Sequence, residues 1–270
     1  MTYKLLALDL DDTLLGPDRR VGDRAKEVVR LAQDRGAVVV LATGRPYSSA
    51  RLFAGRLGIS GPVIGNGGAV VRDGEGRKLR ELFLDGELCA EVVGGADRCG
   101  AIVYAYNSCR VWTNRPHPAT DRYAQILDVP IEVDEAFRRS IVRGDAGVNA
   151  LALRVDDSCA AEVEGELRRR LGDRALVIHP LSTLIEILPP GGAKGDALDV
   201  VCSHLGLALS SCVAVGDSRG DIDMLRAAGL GVLVANAHPD LHPEADLVTT
   251  GPFVEGVLEV VERFFPGREI

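Results

Sequence analysis

The stretch KLLALDLDDTLL, residues 4–15, decides the fold. Leu5 to Asp9 read as a short buried strand, and three acids follow within four residues: Asp9, Asp11 and Asp12. Carboxylates at the end of an apolar strand lose hydration that only a partner or a metal replaces. A strand that delivers acids to its carboxyl end is the mark of an open parallel sheet with a site at that edge.

The flanking sequence repeats the pattern. VGDRAKEVVRLAQDRG places Val21, Ala25, Val28, Val29 and Ala32 at helical spacing and closes at Gly36. AVVVLA (37–42) is a second buried run, and TGRPYSSARLFAGRLG follows with Pro46 suited to a first helical position. PVIGNGGAVV (62–71) is a third strand region broken by glycines. Near the end, a helix is expected over 195–205, a strand over 212–217, a helix over 219–229, a strand over 230–235 and a closing helix over 252–265. Strand and helix in alternation predict an α/β fold: a Rossmann-like parallel sheet with helices on both faces.

The middle departs from that alternation. IVYAYN, RVWTN, NALALRV, ALVIHP and LIEILPP read as strands, with helical stretches near 86–98, 118–127 and 158–171. RDGEG (72–76) is a hairpin signal just before it, and Pro189-Pro190-Gly191-Gly192 is a natural hinge just after. A core formed by residues 1–82 and 189–270, split by an inserted α/β domain over 83–188, is the expected organisation.

Bulk properties narrow the function classes. The 270 residues are 46% hydrophobic and 26% charged, ordinary for a globular chain with a real core. A net charge of -8 argues against nucleic acid or anionic membrane as partner. No apolar stretch is long enough for a membrane helix, and Asp9 interrupts the N-terminal run too early for a signal peptide. Six cysteines without a CxxC pair fit reduced thiols, so a cytoplasmic location is expected. Oligomeric state leaves no trace in the sequence.

Four short signals sit where strands end or helices begin: Asp9-x-Asp11-x-Thr13, Thr43-Gly44-Arg45, Lys194-Gly195 and Gly216-Asp217-x-x-x-Asp221. Loops at the carboxyl ends of parallel strands converge on one crevice, so these acids, a hydroxyl and a lysine are expected to share a pocket. Two carboxylates 4 Å apart repel by roughly 4 kcal/mol at an effective dielectric of about 20, so a divalent cation is needed. An all-oxygen site suits Mg²⁺. Lys194, the Thr43 hydroxyl and the amides of Gly44 and Arg45 ahead of a helix suit a phosphate.

DLDDTLL, ATGRP, AKGDAL and GDSRGDIDML together resemble the haloacid dehalogenase-like superfamily of phosphatases, and the layout is similar to its Cof-like branch with a large inserted α/β cap. VIGNGGAVV and LIEILPPGGAKG match that branch too. The resemblance implies a Mg²⁺-dependent phosphatase of small phosphorylated metabolites, with sugar phosphates as the expected class. It implies Asp9 as nucleophile, Asp11 as acid and base, Thr43 as a phosphoryl contact and Lys194 as the neutralising cation. Mg²⁺ would be held by Asp9, the Asp11 carbonyl and Asp217, with Asp221 in the metal site; Gly44, Arg45 and Asn66 are candidate substrate contacts.

Two positions depart from the family pattern: Asp12 stands where glycine is common, and Gly220 where asparagine precedes the last acid. Gly220 removes a metal-supporting amide, a class of loss that weakens binding 10–100-fold. Simpler roles stand beside several assignments: Ser218 and Asp221 match a capping box, Thr43 matches a helix cap, and Arg45 and Asn66 match local structural contacts. His238 and His242 beside prolines read as a surface turn, and Trp112 as packing. The rival functions are a phosphomutase of the phosphomannomutase type, a phospho-accepting signalling domain and a silent binding protein.

Overall fold

The computed structural model describes residues 3–134, 136–142, 147–181 and 183–267. The chain builds β1 (Leu5–Leu8), α1 (Asp23–Asp34), β2 (Val38–Ala42), α2 (Tyr47–Leu57), β3 (Val63–Gly65), β4 (Val70–Arg72) and β5 (Lys78–Glu81). It then forms α3 (Gly86–Arg98), β6 (Ile102–Tyr106), β7 (Val111–Thr113), α4 (Pro118–Leu127), β8 (Ile131–Val133), α5 (Phe137–Val142), β9 (Ala150–Arg154), α6 (Asp157–Leu171), β10 (Leu176–Leu181) and β11 (Leu184–Leu188). Last come α7 (Lys194–Leu205), β12 (Cys212–Gly216), α8 (Ile222–Ala227), β13 (Leu230–Leu233), β14 (Leu247–Val248) and α9 (Phe253–Phe264).

Two sheets result. The larger runs β14-β13-β12-β1-β2-β3-β4-β5, parallel from β14 to β3 with β4 and β5 antiparallel at one edge. Its central strands are apolar on both faces because helices cover both. Leu6, Leu8, Val39, Leu41, Val213 and Val215 point toward α1, α2 and α9. Leu5, Ala7, Val40, Ala42, Cys212 and Ala214 alternate to the other face, beneath α7 and α8.

The smaller sheet, β10-β11-β9-β6-β7-β8, is antiparallel except for the β7–β8 pair. One face packs Val103, Ala105, Trp112, Leu151, Ile185 and Ile187 under α3, α5 and α6. Trp112 is packing, edge-on to Phe137 at 6.5 Å. The other face carries Tyr104, Tyr106, Ala152 and Leu188 with α4 against it, and turns toward the carboxyl edge of the parallel sheet. This is the α/β architecture expected, with the second sheet built between β5 and α7. Of the expected domain limits, residues 1–2 and 268–270 lie outside the described residues.

Three local readings need correction. The 62–71 region is not one broken strand but the β3–β4 hairpin, turned at Asn66 (φ 51°), Gly67 (φ 69°) and Gly68 (φ 130°). Gly68 is needed there, because a Cβ would lie 2.3 Å from the Ala193 carbonyl oxygen. The helix expected over 219–229 is a 3₁₀ turn at Arg219–Asp221 followed by the short α8. Pro46 sits just before α2 with ψ 141°, one position outside the helix. His238 and His242 lie at a 3₁₀ turn, where His238 accepts from the Asp240 amide at 3.3 Å.

The sheets meet through α4. A helix ends on carbonyls without internal partners. Here the Ile126 carbonyl accepts from Arg45 at 2.7 Å and the Leu127 carbonyl accepts from Ser49. Asp128, which closes α4 with φ 55°, pairs with Arg56. The C-terminus of α4 is thus seated on α2, and the negative end of its dipole meets cations.

Candidate active site

The Asp9-x-Asp11 loop leaves β1 between its two parallel neighbours, and the Asp9 amide continues the ladder to the Val215 carbonyl at 3.0 Å. This registration brings Asp9 beside the end of β12, where Asp217 follows. Asp12 adopts φ 61°, a backbone region that favours glycine but that Asp tolerates. Its side chain pairs with Arg19 at 3.0 Å, and its carbonyl accepts from Asn236 at 2.7 Å. Thr13 donates to Asp217 Oδ1 at 2.8 Å, tying the first loop to the last.

Lys194 opens α7 and is buried, with Nζ 2.7 Å from Asp9 Oδ1 and 2.6 Å from Asp221 Oδ1. Asp221 is wholly buried and its second oxygen accepts from the Ser218 amide at 3.0 Å, the Ser218 hydroxyl at 2.9 Å and the Asp217 amide at 3.2 Å. The capping box is therefore present. It fixes the loop that carries Asp217.

Oxygens of Asp9, Asp217 and Asp221 lie within 4.8 Å of one another. Three carboxylates against one ammonium leave negative charge unbalanced in a dry place. Burial raises the Asp9 carboxyl, Lys194 pulls it back and Asp221 pushes it up again, leaving it well above the carboxylate range. Burial, then the charges of Asp9 and Asp221, push Asp217 up as well. Lys194 moves the opposite way to a desolvated lysine: burial favours its neutral form, but Asp221 and Asp9 outweigh it and keep it charged.

Asp11 turns from this cluster. Arg45 grips it with a two-pronged contact, Nε to Oδ2 and Nη2 to Oδ1 at 2.6 Å each, and Arg19 adds 3.1 Å to Oδ1. Burial works to raise its pKa, yet the Arg45 contacts and Arg19 win and hold it below the carboxylate range. Thr43 is buried and lines the cleft; its hydroxyl accepts from the Arg45 amide at 3.1 Å, a local turn ahead of α2, whose cap position is Pro46, so the helix-cap role read for Thr43 is not the one it fills.

One small cleft, about 110 Å³, is lined by Asp9, Asp11, Thr43, Gly44, Arg45, Lys194 and Asp217 from the larger sheet. Gly220 lines it too. Tyr123, Ile126, Ile178, Leu184 and Glu186 close it from the smaller sheet. Asn66 does not line it: its carboxamide oxygen accepts from the Tyr47 amide at 2.7 Å, and its backbone N–H donates to the Arg45 carbonyl at 2.8 Å. Asn66 is a brace for the start of α2, a correction to its reading as a substrate contact. Sequence reasoning missed Arg19, Tyr123 and Glu186. The last was the most legible, a lone acid in the apolar run LIEIL.

Comparison with known proteins fits this geometry. The family model for haloacid dehalogenase-like hydrolases matches residues 6–261. The chain belongs to that family. Its layout is that of the Cof-like branch. An HMP-PP phosphatase of Serratia proteamaculans is 30% identical over 247 residues, 88% of this chain and 86% of that protein. A haloacid dehalogenase-like hydrolase of Bacteroides thetaiotaomicron superposes with a TM-score of 0.84 at 26% identity, over 97% of this chain and 99% of the other. The subclass IIB sugar phosphatase BT4131 shares the fold, with a TM-score of 0.82 at 21% identity over 97% and 98% of the two chains. This hydrolase has no helix, among its described residues, long and apolar enough to cross a membrane.

Proposed function

We propose that this hydrolase is a Mg²⁺-dependent phosphatase of small phosphorylated metabolites, working through a phosphoryl group carried on Asp9. The observation that carries the reading is the buried Asp9–Lys194–Asp221 contact with Asp217 beside it. The oxygen-only donor set and its uncompensated charge fit a hard divalent cation. Asp9, Asp217 and the Asp11 carbonyl are the groups to hold it; Asp221, counted among the metal acids on sequence, has both oxygens engaged and positions Asp217 instead. Bound there, Mg²⁺ supplies positive charge to the phosphoryl oxygens and to Asp9.

In the first step an Asp9 oxygen attacks phosphorus and the ester P–O bond breaks. Asp11 gives its proton to the departing oxygen. In the second, Asp11 takes a proton from water, the water oxygen attacks phosphorus, and the bond to Asp9 breaks to release phosphate. Lys194 and the Thr43 hydroxyl hold the remaining oxygens as charge spreads over them. Arg45 and Arg19 keep Asp11 ionised while α4 is docked, the form that suits the second step. Protonation for the first step then goes with release of the Arg45 grip, and the Arg45–Ile126 contact links that release to movement of the smaller sheet.

Arg45→Lys loses the two-pronged contact. It is expected to lower kcat about tenfold, the worth of one charge-assisted hydrogen bond, and to move the acid limb governed by Asp11 to higher pH. A pH–rate profile of the two proteins reads both effects.

The cleft carboxylates also set a pH dependence of stability. With folded pKa values raised, Asp9 and Asp217 hold protons more tightly folded than unfolded, so the cation-free protein loses stability as pH rises above the ordinary carboxylate range. Mg²⁺ offsets the ionised charges. Its stabilisation, read as a melting shift against EDTA, is expected to be larger at about pH 8 than at about pH 5.

The direct test is phosphate release from p-nitrophenyl phosphate and a panel of sugar and heterocyclic phosphates, with Mg²⁺ or EDTA. Metal-dependent release supports the reading. Transfer between substrate positions without release would favour the mutase.

A further inference from the structure

Glu186 is unused by the chemistry above. It lies in β11 between Ile185 and Ile187, which fill the interior beneath α3, α5 and α6. A strand alternates its side chains, so Glu186 shares the opposite face with Leu184 and Leu188, toward the cleft. Its cross-strand neighbours are Ala152 on β9 and Ile178 on β10, and neither offers a charge.

Glu186 as a residue is 9% exposed, and among the described residues its carboxylate makes no hydrogen bond or ion pair. Its oxygens open onto the cleft, so what the cleft holds is what satisfies them. It sits over the phosphate-side loop: a Cβ on Gly44 would lie 2.9 Å from Glu186 Oε1. The charged groups around it are Lys194 and Asp221 below, with the Tyr106 and Tyr123 hydroxyls, 2.7 Å apart, beside it. Lys194 is already committed to Asp9 and Asp221. Burial, partly offset by Lys194, lifts the Glu186 carboxyl to about 7.

An unpartnered acceptor aimed into a cleft closed on that side by Ile126, Ile178, Leu184 and Tyr123, whose hydroxyl is engaged with Tyr106, points to a ligand donor. We propose that Glu186 is the residue by which the smaller sheet recognises the leaving group: its carboxylate accepts a hydrogen bond from an uncharged N–H or O–H on the organic part of the ester and rejects esters whose organic part is anionic there. The inference rests on the phosphatase reading for the position of the phosphate. Gly44 belongs to the same device, because any side chain there would occupy the space in which Glu186 Oε1 stands. Selectivity by a buried polar group is strong, since a ligand without the matching donor leaves the acceptor unsatisfied.

The test uses the Asp9→Asn protein, which holds intact esters, with and without Glu186→Ala or Glu186→Gln. The probes are benzyl phosphate, its three aminobenzyl isomers and its three carboxybenzyl isomers, titrated by calorimetry at a pH above the Glu186 titration, where the carboxylate form dominates. With Glu186 present, at least one aminobenzyl isomer is expected to bind about tenfold more tightly than benzyl phosphate, and the carboxybenzyl isomers more weakly than it. Glu186→Ala is expected to collapse both differences. Glu186→Gln, close in shape, is expected to keep part of the amino preference and admit the carboxybenzyl esters. The same rank order in the Ala variant, equal affinities with Glu186 present, or no measurable binding would overturn the proposal. Phosphate release by the wild-type protein judges the phosphatase reading separately.

Discussion

Asp9→Asn is expected to abolish phosphate release, by on the order of 10⁴-fold or more, while the folded protein stays as stable as the wild type or gains stability without divalent cation. The two halves have one cause. Asp9 is a desolvated carboxylate facing Asp221 and Asp217, held there by Lys194. The amide keeps the shape and can still accept from Lys194, but it is a far poorer nucleophile and carries no charge to repel its neighbours. A role confined to ending the strand would leave turnover intact. Steady-state kinetics beside a melting curve in EDTA reads both halves.

Lys194→Met is expected to fail on both counts. Activity falls by about 10²–10³-fold, for loss of the charge that the proposed reaction sets against the phosphoryl oxygens. Stability falls too, by about 3–5 kcal/mol, because removing one partner of a buried charge cluster leaves the rest uncompensated. The Lys194 pKa is raised on folding, so its contribution is complete below the unfolded lysine value and persists through every ordinary assay pH. Adding Asp9→Asn to Lys194→Met is expected to recover about 0.5–3 kcal/mol, since the two side chains touch. Urea titration of the four proteins measures that coupling; strict additivity would contradict a shared charge cluster.

How far the molecule is legible in its sequence follows from the range of the forces involved. β1, β2 and β12 announce themselves as apolar runs covered on both faces, and the acids at their ends follow from parallel topology. The convergence of Asp9, Lys194 and Asp217 is thus readable, although they are scattered along the chain. Asn66 is harder. The sequence left it a candidate substrate contact or a local structural residue, and its carboxamide oxygen accepts from the Tyr47 amide, which only the folded β3–β4 turn brings beside it. Arg45 depends on where α4 ends: its guanidinium reaches Asp11 on one side and the Ile126 carbonyl on the other. No local pattern records that. Glu186 obeys strict alternation, yet the alternation says only that it faces away from Ile185 and Ile187. That this face meets the cleft depends on how the two sheets are docked.

The most direct test of the central claim is to quench the enzyme during turnover of a phosphate ester and map phosphoryl groups by mass spectrometry. A phosphoryl group on the peptide carrying Asp9, absent from Asp9→Asn, is the result predicted. Turnover with no phosphorylated peptide at any quench time, or with the group on another residue, would contradict it.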